Sequence, residues 1–291
     1  MNLLVAHLIS GRILFTGLGV MVGLILVGAW TTRDVGRRMA TLGAWIAGLL
    51  SLTTAAVSPW LMGGLGLMLT LWTALGIVTP ARESTGRRKL AATALPVGFA
   101  LLLIAREFPW LQPVVSSVPE RSIVVLGDSL SAGLGEGEGM PWPFQLRDLH
   151  QLQVTNLSDA GATTHDALQR IRATDHFPGL VIIELGGNDL LGGRSRAEFE
   201  QDLDQILADL NARKRSVVML ELPLLPGKSA WGVTQRSLAT KYNCGLIPKR
   251  YWADVLAAPG ATVDTLHLSQ AGHRQMAEMI WGVIEESLPA P

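Results

Sequence analysis

Ser129 is the residue from which the chemistry of this sequence is most readily built. A serine hydroxyl attacks a carbonyl only when a base removes its proton, a further group orients that base, and donors meet the oxyanion that forms. His267 is the candidate base, because Asp264 lies three residues earlier, where one helical turn or a tight loop sets a carboxylate against the imidazole. Asp264 would hold the tautomer and stabilise the imidazolium. Candidate oxyanion donors are the backbone N–H groups of Ser129 and Gly161 and the side-chain amide of Asn188. Gly127, just before the turn, would permit a conformation that most residues resist. The Gly-x-Ser-x-Gly elbow is absent, since position 131 is Ser.

These residues need a scaffold that gathers them at one end. After the Pro- and Ser-rich stretch 113–119, short apolar runs alternate with longer amphipathic ones. Runs 122–126, 153–156, 180–185, 216–222 and 245–247 read as strands, and their continuous apolarity suits a parallel sheet covered on both faces. Segments 142–150, 164–174, 196–212 and 228–242 read as helices, and 270–288 closes the chain behind a Ser269 cap. The expected fold is α/β, a three-layer αβα domain with a parallel sheet. Ligands bind beyond the carboxyl ends of such strands. The segments just past the first three strands are 127–131, 158–163 and 186–189, and they contain Ser129, Gly161 and Asn188.

Four blocks in this order resemble the SGNH hydrolases, also called GDSL esterases and lipases. They are Gly127-Asp128-Ser129-Leu130-Ser131, the glycine of Asn156-Leu157-Ser158-Asp159-Ala160-Gly161, Gly186-Gly187-Asn188-Asp189, and Asp264-Thr265-Leu266-His267. The resemblance covers roughly residues 122–288 and is closest to the short bacterial thioesterase, arylesterase and lysophospholipase group. It implies a flavodoxin-like fold, Ser129 as nucleophile, Gly161 and Asn188 in the oxyanion hole, the Asp264 and His267 pair completing a triad, and no metal or cofactor. The sequence departs from that group in its amino-terminal third and in the Gly- and Glu-rich stretch 133–140.

Other ionisable residues read as structural. Asp128 and Asp189 flank the site as holders of loop N–H groups. His273 falls in the first turn of the closing helix without an acid three residues before it, and His7, His150, His165 and His176 have no matching partner in sequence. The acids of 196–212 lie around an amphipathic helix whose apolar face holds Phe199, Leu203, Ile206 and Leu207, a solvated surface rather than a cation site. Cys244, the one cysteine, reads as a small buried hydrophobe.

The net charge of zero is a cancellation: residues 1–106 carry nine basic against two acidic side chains, and the remainder 15 against 22. The acidic second part argues against a nucleic-acid partner. Stretches 13–30, 41–57, 61–79 and 90–105 lack ionisable residues and approach bilayer-spanning length. They predict a helical membrane anchor over 1–106, a linker over 107–121 and a catalytic domain over 122–291. No cleaved signal peptide is expected, because 1–10 has no basic n-region. Arg33, Arg37 and Arg38 follow the first stretch and Arg82, Arg87, Arg88 and Lys89 the third, whereas Ser58-Pro59-Trp60 is uncharged. The positive-inside bias therefore places the catalytic half in the periplasm or outside the cell. The spans carry no charge that would serve transport, which disfavours a transporter or sensor with a non-catalytic ligand-binding domain. The expected activity is cleavage of an acyl ester or thioester through an acyl-serine intermediate beside the bilayer, with an O-acetylesterase or a transacylase acting on envelope glycans as the enzymatic alternatives. Segments 133–140 and 191–196 are expected to shape the substrate groove.

Overall fold

The structure is a computed structural model describing residues 3–31, 33–78, 86–133, 135, 139–175, 177–264 and 266–290. Arg82, His176, Thr265 and half of the 133–140 stretch thus lie outside the described residues. The chain forms two compact units, one of residues 1–10, 112–223 and 234–291, the other of residues 11–111 and 224–233.

The first unit begins with helix α1 (Leu3–Ile9), which packs on α12 (Lys249–Ala257) of the same unit. The second unit contains α2 (Ile13–Trp30), α3 (Asp34–Leu52), α4 (Pro59–Val78) and α5 (Gly86–Ala105). Its core is built from Leu14, Leu18, Met21 and Ile25 of α2, Ala44 and Ala47 of α3, Leu65, Leu69 and Trp72 of α4, and Ala100 and Leu103 of α5. A Cβ on Gly17 would lie 2.7 Å from Ser51 Cβ and 2.9 Å from the Ala47 carbonyl, so glycine lets α2 and α3 approach backbone to backbone. The outer faces stay apolar, with Val20, Val27, Ile46, Leu49, Leu67 and Leu101 exposed. A helix bundle in water puts polar residues there, and one in lipid does not.

Segments 13–30, 59–76 and 89–110 are helices long and apolar enough to cross a membrane. The expected second span, 41–57, departs from this pattern. Helix α3 starts at Asp34, takes in Arg37 and Arg38, and ends at Leu52. Its charge-free part rises only about 21 Å at 1.5 Å per residue, against about 30 Å of hydrocarbon. Residues 224–233 belong to this unit too: Gly227 N–H donates to the Thr53 carbonyl at 3.2 Å and Ser229 Oγ to the Leu52 carbonyl at 3.3 Å, satisfying the end of α3.

In the first unit, β1 (Ser122–Gly127), β2 (Gln153–Asn156), β3 (Leu180–Glu184), β4 (Ser216–Leu220) and β5 (Gly245–Ile247) form one parallel sheet in the order β2-β1-β3-β4-β5. β1 and β3 are buried at every position, as their unbroken apolar runs require, while edge strand β2 alternates between exposed and half-buried. The connecting elements are α6 (Ser129–Ala132), α7 (Trp142–His150), α8 (Thr164–Ala173), α9 (Gly187–Leu191), α10 (Arg196–Ala212), α11 (Ser229–Lys241), α12 and α13 (Gln270–Ile284). Ser269 caps α13 as expected, accepting from Gly272 N–H, and Ser195 and Glu198 form a reciprocal capping box on α10. In this strand order the chain reverses direction across the sheet between β1 and β3, which is where the crevice at the carboxyl ends opens.

Candidate active site

Ser129 lies at that end of the sheet, as the first residue of α6 two residues past the end of β1. Asp128 caps α6, its Oδ1 accepting from Leu130 N–H at 3.0 Å. Gly127 is required for space rather than for backbone freedom: its φ is not among the positive ones, but a Cβ would lie 2.5 Å from Ser131 Oγ and 2.9 Å from Ser158 Oγ. This corrects the turn argument made from sequence. Gly161, on the loop after β2, does need its glycine, since φ is +78°.

Side chains from the β3 loop tie these loops together. Asn188 Nδ2 donates to Asp128 Oδ2 at 3.1 Å and to the Ala162 carbonyl at 3.0 Å, bridging the nucleophile turn and the Gly161 loop. Both amide hydrogens are thereby engaged, so serving an oxyanion would mean exchanging one of them. Asp189 is fully buried and accepts from Thr164 N–H at 2.9 Å and Thr164 Oγ1 at 2.6 Å. Arg194 stands 3.4 Å from Asp189 and 2.6 Å from Asp202. Asp128 and Asp189 therefore hold loop N–H groups, as read from sequence.

Asp264 and His267 lie in a tight loop, closed by an antiparallel bridge between Thr262 and Leu268 and by Val263 N–H donating to the His267 carbonyl at 3.0 Å. Asp264 Oδ2 lies 2.8 Å from His267 Nδ1, and its Oδ1 accepts from the N–H groups of Leu266 at 2.6 Å and His267 at 2.7 Å. The His267 hydrogen bond first, then those two N–H groups, draw the Asp264 carboxyl down to about 2. The imidazole is within electrostatic reach of Asp128, whose carboxylate it favours. The structure thus gathers Ser129, Gly161 and Asn188 on loops at the carboxyl ends of β1, β2 and β3, and couples His267 to Asp264.

Of the other histidines, His273 is wholly buried and its Nδ1 accepts from Trp142 N–H at 3.3 Å, which fixes the start of α7. His150 stacks on Trp281 at 3.9 Å. His165 does have an acidic neighbour, Asp202 at 3.6 Å, brought near by tertiary packing that sequence spacing does not show.

Sequence reasoning passed over Glu184. The parallel register pairs it with Gly127, and its Oε2 accepts from Ser131 Oγ at 2.8 Å and from Asp128 N–H at 3.2 Å. Burial, then the neighbouring Asp128, push its carboxyl well above the usual range, and burial raises Asp128 to about 6. The available signal was an acid ending an otherwise apolar strand.

The same region carries the likeness to known proteins. The chain is 35% identical over 136 residues to Thioesterase 1/protease 1/lysophospholipase L1 of Escherichia coli K12, a match covering 44% of this chain and 65% of that enzyme. It is 28% identical over 181 residues to Esterase TesA of Pseudomonas aeruginosa, covering 58% of this chain and 90% of that protein. The crystal structure of TesA superposes with a TM-score of 0.52 at 27% identity, over 57% of this chain and 99% of that one. Residues 125–275, just over half of the chain, match the model of the GDSL-like Lipase/Acylhydrolase family, with Ser129, Gly161, Asn188, Asp264 and His267 all inside the match. By the extent of that match, this chain belongs to the GDSL-like lipase/acylhydrolase family.

Proposed function

We propose that the protein is a membrane-anchored serine hydrolase that cleaves carboxylic esters or thioesters through an acyl-Ser129 intermediate. The observation that carries this reading is the 2.8 Å Asp264–His267 hydrogen bond, within electrostatic reach of the turn that presents Ser129. With Nδ1–H held by Asp264, Nε2 is left with its lone pair and takes the Ser129 proton as Oγ attacks the carbonyl carbon. The carbonyl oxygen becomes an oxyanion met by Ser129 N–H, Gly161 N–H and the Asn188 amide. His267 returns the proton to the departing alcohol or thiol. Water, deprotonated by the same imidazole, then releases the acid and restores Ser129. The names of the relatives, thioesterase, lysophospholipase and esterase, support acyl substrates of this range.

Parity, with the charge bias of the links, supports a location outside the cytoplasm. Helix α1 packs on α12 and so shares a side of the membrane with the sheet unit, which calls for an even number of crossings between them. Three helices qualify by length and composition, and the even count requires a fourth, for which α3 is the candidate although its apolar part is short. Over its full length α3 rises about 28 Å, with Arg37 paired to Asp34 at 3.0 Å in its first turns, at headgroup depth. The basic links then lie in the cytoplasm and the catalytic domain outside it.

The test is hydrolysis of p-nitrophenyl esters from acetyl to palmitoyl by the detergent-solubilised protein and by Ser129→Ala. We expect the variant to lose at least ~10³-fold in rate while still inserting and folding. A short-chain optimum favours deacetylation and a long-chain one lipid esters. Equal rates overturn the mechanism. For location, a reporter that works only in the cytoplasm, fused after Pro291, should stay silent.

A further inference from the structure

Under the nucleophile turn, two acids that water does not reach lie against each other. Asp128 and Glu184 are 4% and 5% exposed. Trp142 Nε1–H donates to Ser131 Oγ at 3.2 Å, and Ser131 Oγ–H donates to Glu184 Oε2 at 2.8 Å, which also accepts Asp128 N–H. The two side-chain carboxyls lie close enough for each to perturb the other. A hydrogen bond between two carboxyl groups needs a proton between them. Both Asp128 oxygens already accept, Oδ1 from Leu130 N–H and Oδ2 from Asn188, whereas the donors to Glu184 both meet Oε2, so the proton on the pair belongs to Glu184 and points to Asp128.

We propose that Glu184 is a positioning residue of this site: a neutral carboxylic acid whose proton bridges to the Asp128 carboxylate, and which through Asp128 sets the hold on the Asn188 amide. The proposal rests on the reading of Asn188 as an oxyanion donor. Asp128 Oδ2 holds one Asn188 hydrogen, and the Ala162 carbonyl holds the other. While Glu184 stays neutral, the pair carries one negative charge, partly neutralised by the shared proton, and its grip on Asn188 is weak enough for a hydrogen to pass to a forming oxyanion. An ionised Glu184 would leave two carboxylates there, tightening that grip and repelling the oxyanion. The charged groups around the pair are His267 on the 262–268 loop, which favours the Asp128 carboxylate, and Asp189 on α9, which opposes it and is itself paired with Arg194.

Glutamine separates this role from mere packing, since its carbonyl accepts as Oε2 does and its amide donates to Asp128 without a titratable proton. The full chain in detergent, as wild type, Glu184→Gln and Glu184→Ala, is compared by infrared spectroscopy and by kcat and KM on a p-nitrophenyl ester from about pH 6 to 9. The wild type should show the carbonyl stretch of a protonated carboxylic acid at neutral pH, shifted in deuterium oxide and absent from Glu184→Gln. Glu184→Ala should lose ~10-fold or more in kcat with little change in KM, the scale of one hydrogen bond to a charged group. Glu184→Gln should recover most of that loss and lack the wild-type fall in kcat toward high pH. A wild type without the band, a band that survives in Glu184→Gln, or a glutamine variant as poor as the alanine one overturns the proposal. A wild type that shows the band but hydrolyses no ester overturns the functional reading instead.

Discussion

Asp264→Asn is the substitution that tests the triad with the least disturbance. The asparagine Oδ1 can still accept the Leu266 and His267 N–H groups that the carboxylate accepts at 2.6 and 2.7 Å, so the loop keeps its shape. What changes is the atom facing His267 Nδ1, 2.8 Å away, which becomes a donor. The imidazole must then present Nδ1 as acceptor and put its proton on Nε2, the atom that should accept from Ser129. A second loss is the charge that stabilises the imidazolium. The Asp264 side chain is 53% exposed and that of His267 23%, so the attraction falls between the about 1 kcal/mol of water and the about 4 kcal/mol of a site near a protein surface. Roughly 2 kcal/mol corresponds to about 30-fold in rate. With the tautomer penalty added, kcat should fall about 10²- to 10³-fold, less than the ~10⁴-fold of a fully buried triad. KM should hardly move. Steady-state hydrolysis of the best p-nitrophenyl ester, with a melting curve as a folding control, measures both. A well-folded variant keeping a third of wild-type kcat would refute the reasoning. The pH dependence carries a sign as well. The Asp264 carboxyl is depressed from 3.8 to about 2, so its contribution to stability is fully present above about 3.8 and fades as pH falls through about 2. The variant should therefore differ from wild type in melting temperature by a constant amount above pH 4, with the gap closing only in stronger acid.

Asn188→Ala should lower kcat by about 10²- to 10³-fold, the cost of one oxyanion donor, and a loss below tenfold in steady-state kinetics would remove Asn188 from the hole. Gly127→Ala places a methyl 2.5 Å from Ser131 Oγ, so denaturant unfolding should show a loss of about 1–3 kcal/mol; an unchanged midpoint would mean that the turn yields freely. Arg236→Met strips a cation from Glu221, which is 1% exposed. Burial alone would raise the Glu221 carboxyl, and Arg236 with Lys249 holds it below its usual range. Chemical denaturation should reveal about 3–5 kcal/mol of destabilisation at neutral pH, shrinking in acid where the carboxyl can take a proton, and a loss that does not depend on pH would contradict this account.

The strands were legible because β1 and β3 are covered on both faces, so their apolar runs are unbroken, and the closing helix because Ser269 announces it. Helix α12 was not read from the sequence, since it follows β5 after the single residue Pro248, with no connecting loop to mark its start. Helix α3 begins seven residues before the apolar stretch chosen for it, because backbone hydrogen bonding continues through Asp34, Arg37 and Arg38 as readily as through leucine. The packing of α1 on α12, and the inclusion of 224–233 with the bundle helices, are tertiary matters that no local pattern encodes. At the candidate site, four short blocks in order and the i,i+3 spacing of Asp264 and His267 pointed to the candidate residues. Glu184 escaped because its meaning comes from register: only pairing with Gly127 brings it beneath Asp128.

How the loops are tied bears on where this site stores its geometry. The turn after β1, the loop after β2 and the loop after β3 are joined by Asp128–Asn188, Asn188–Ala162 and Asp189–Thr164, bonds of 2.6 to 3.1 Å that exist before any substrate arrives. Asn188 must still exchange one of these bonds for the oxyanion, but the loops that carry the donors are already in place as charge develops, and preorganisation of that kind is what lets an oxyanion hole lower a barrier. The Asp264–His267 loop is held mainly by its own short-range bonds, and its acid is half exposed. Rigidity is therefore concentrated where the oxyanion would form, and adjustment is left to the base. Substitutions in the first group should act through kcat at constant KM, whereas changes that loosen the 262–268 loop without touching its two polar side chains should leave the oxyanion donors in place and be tolerated far better.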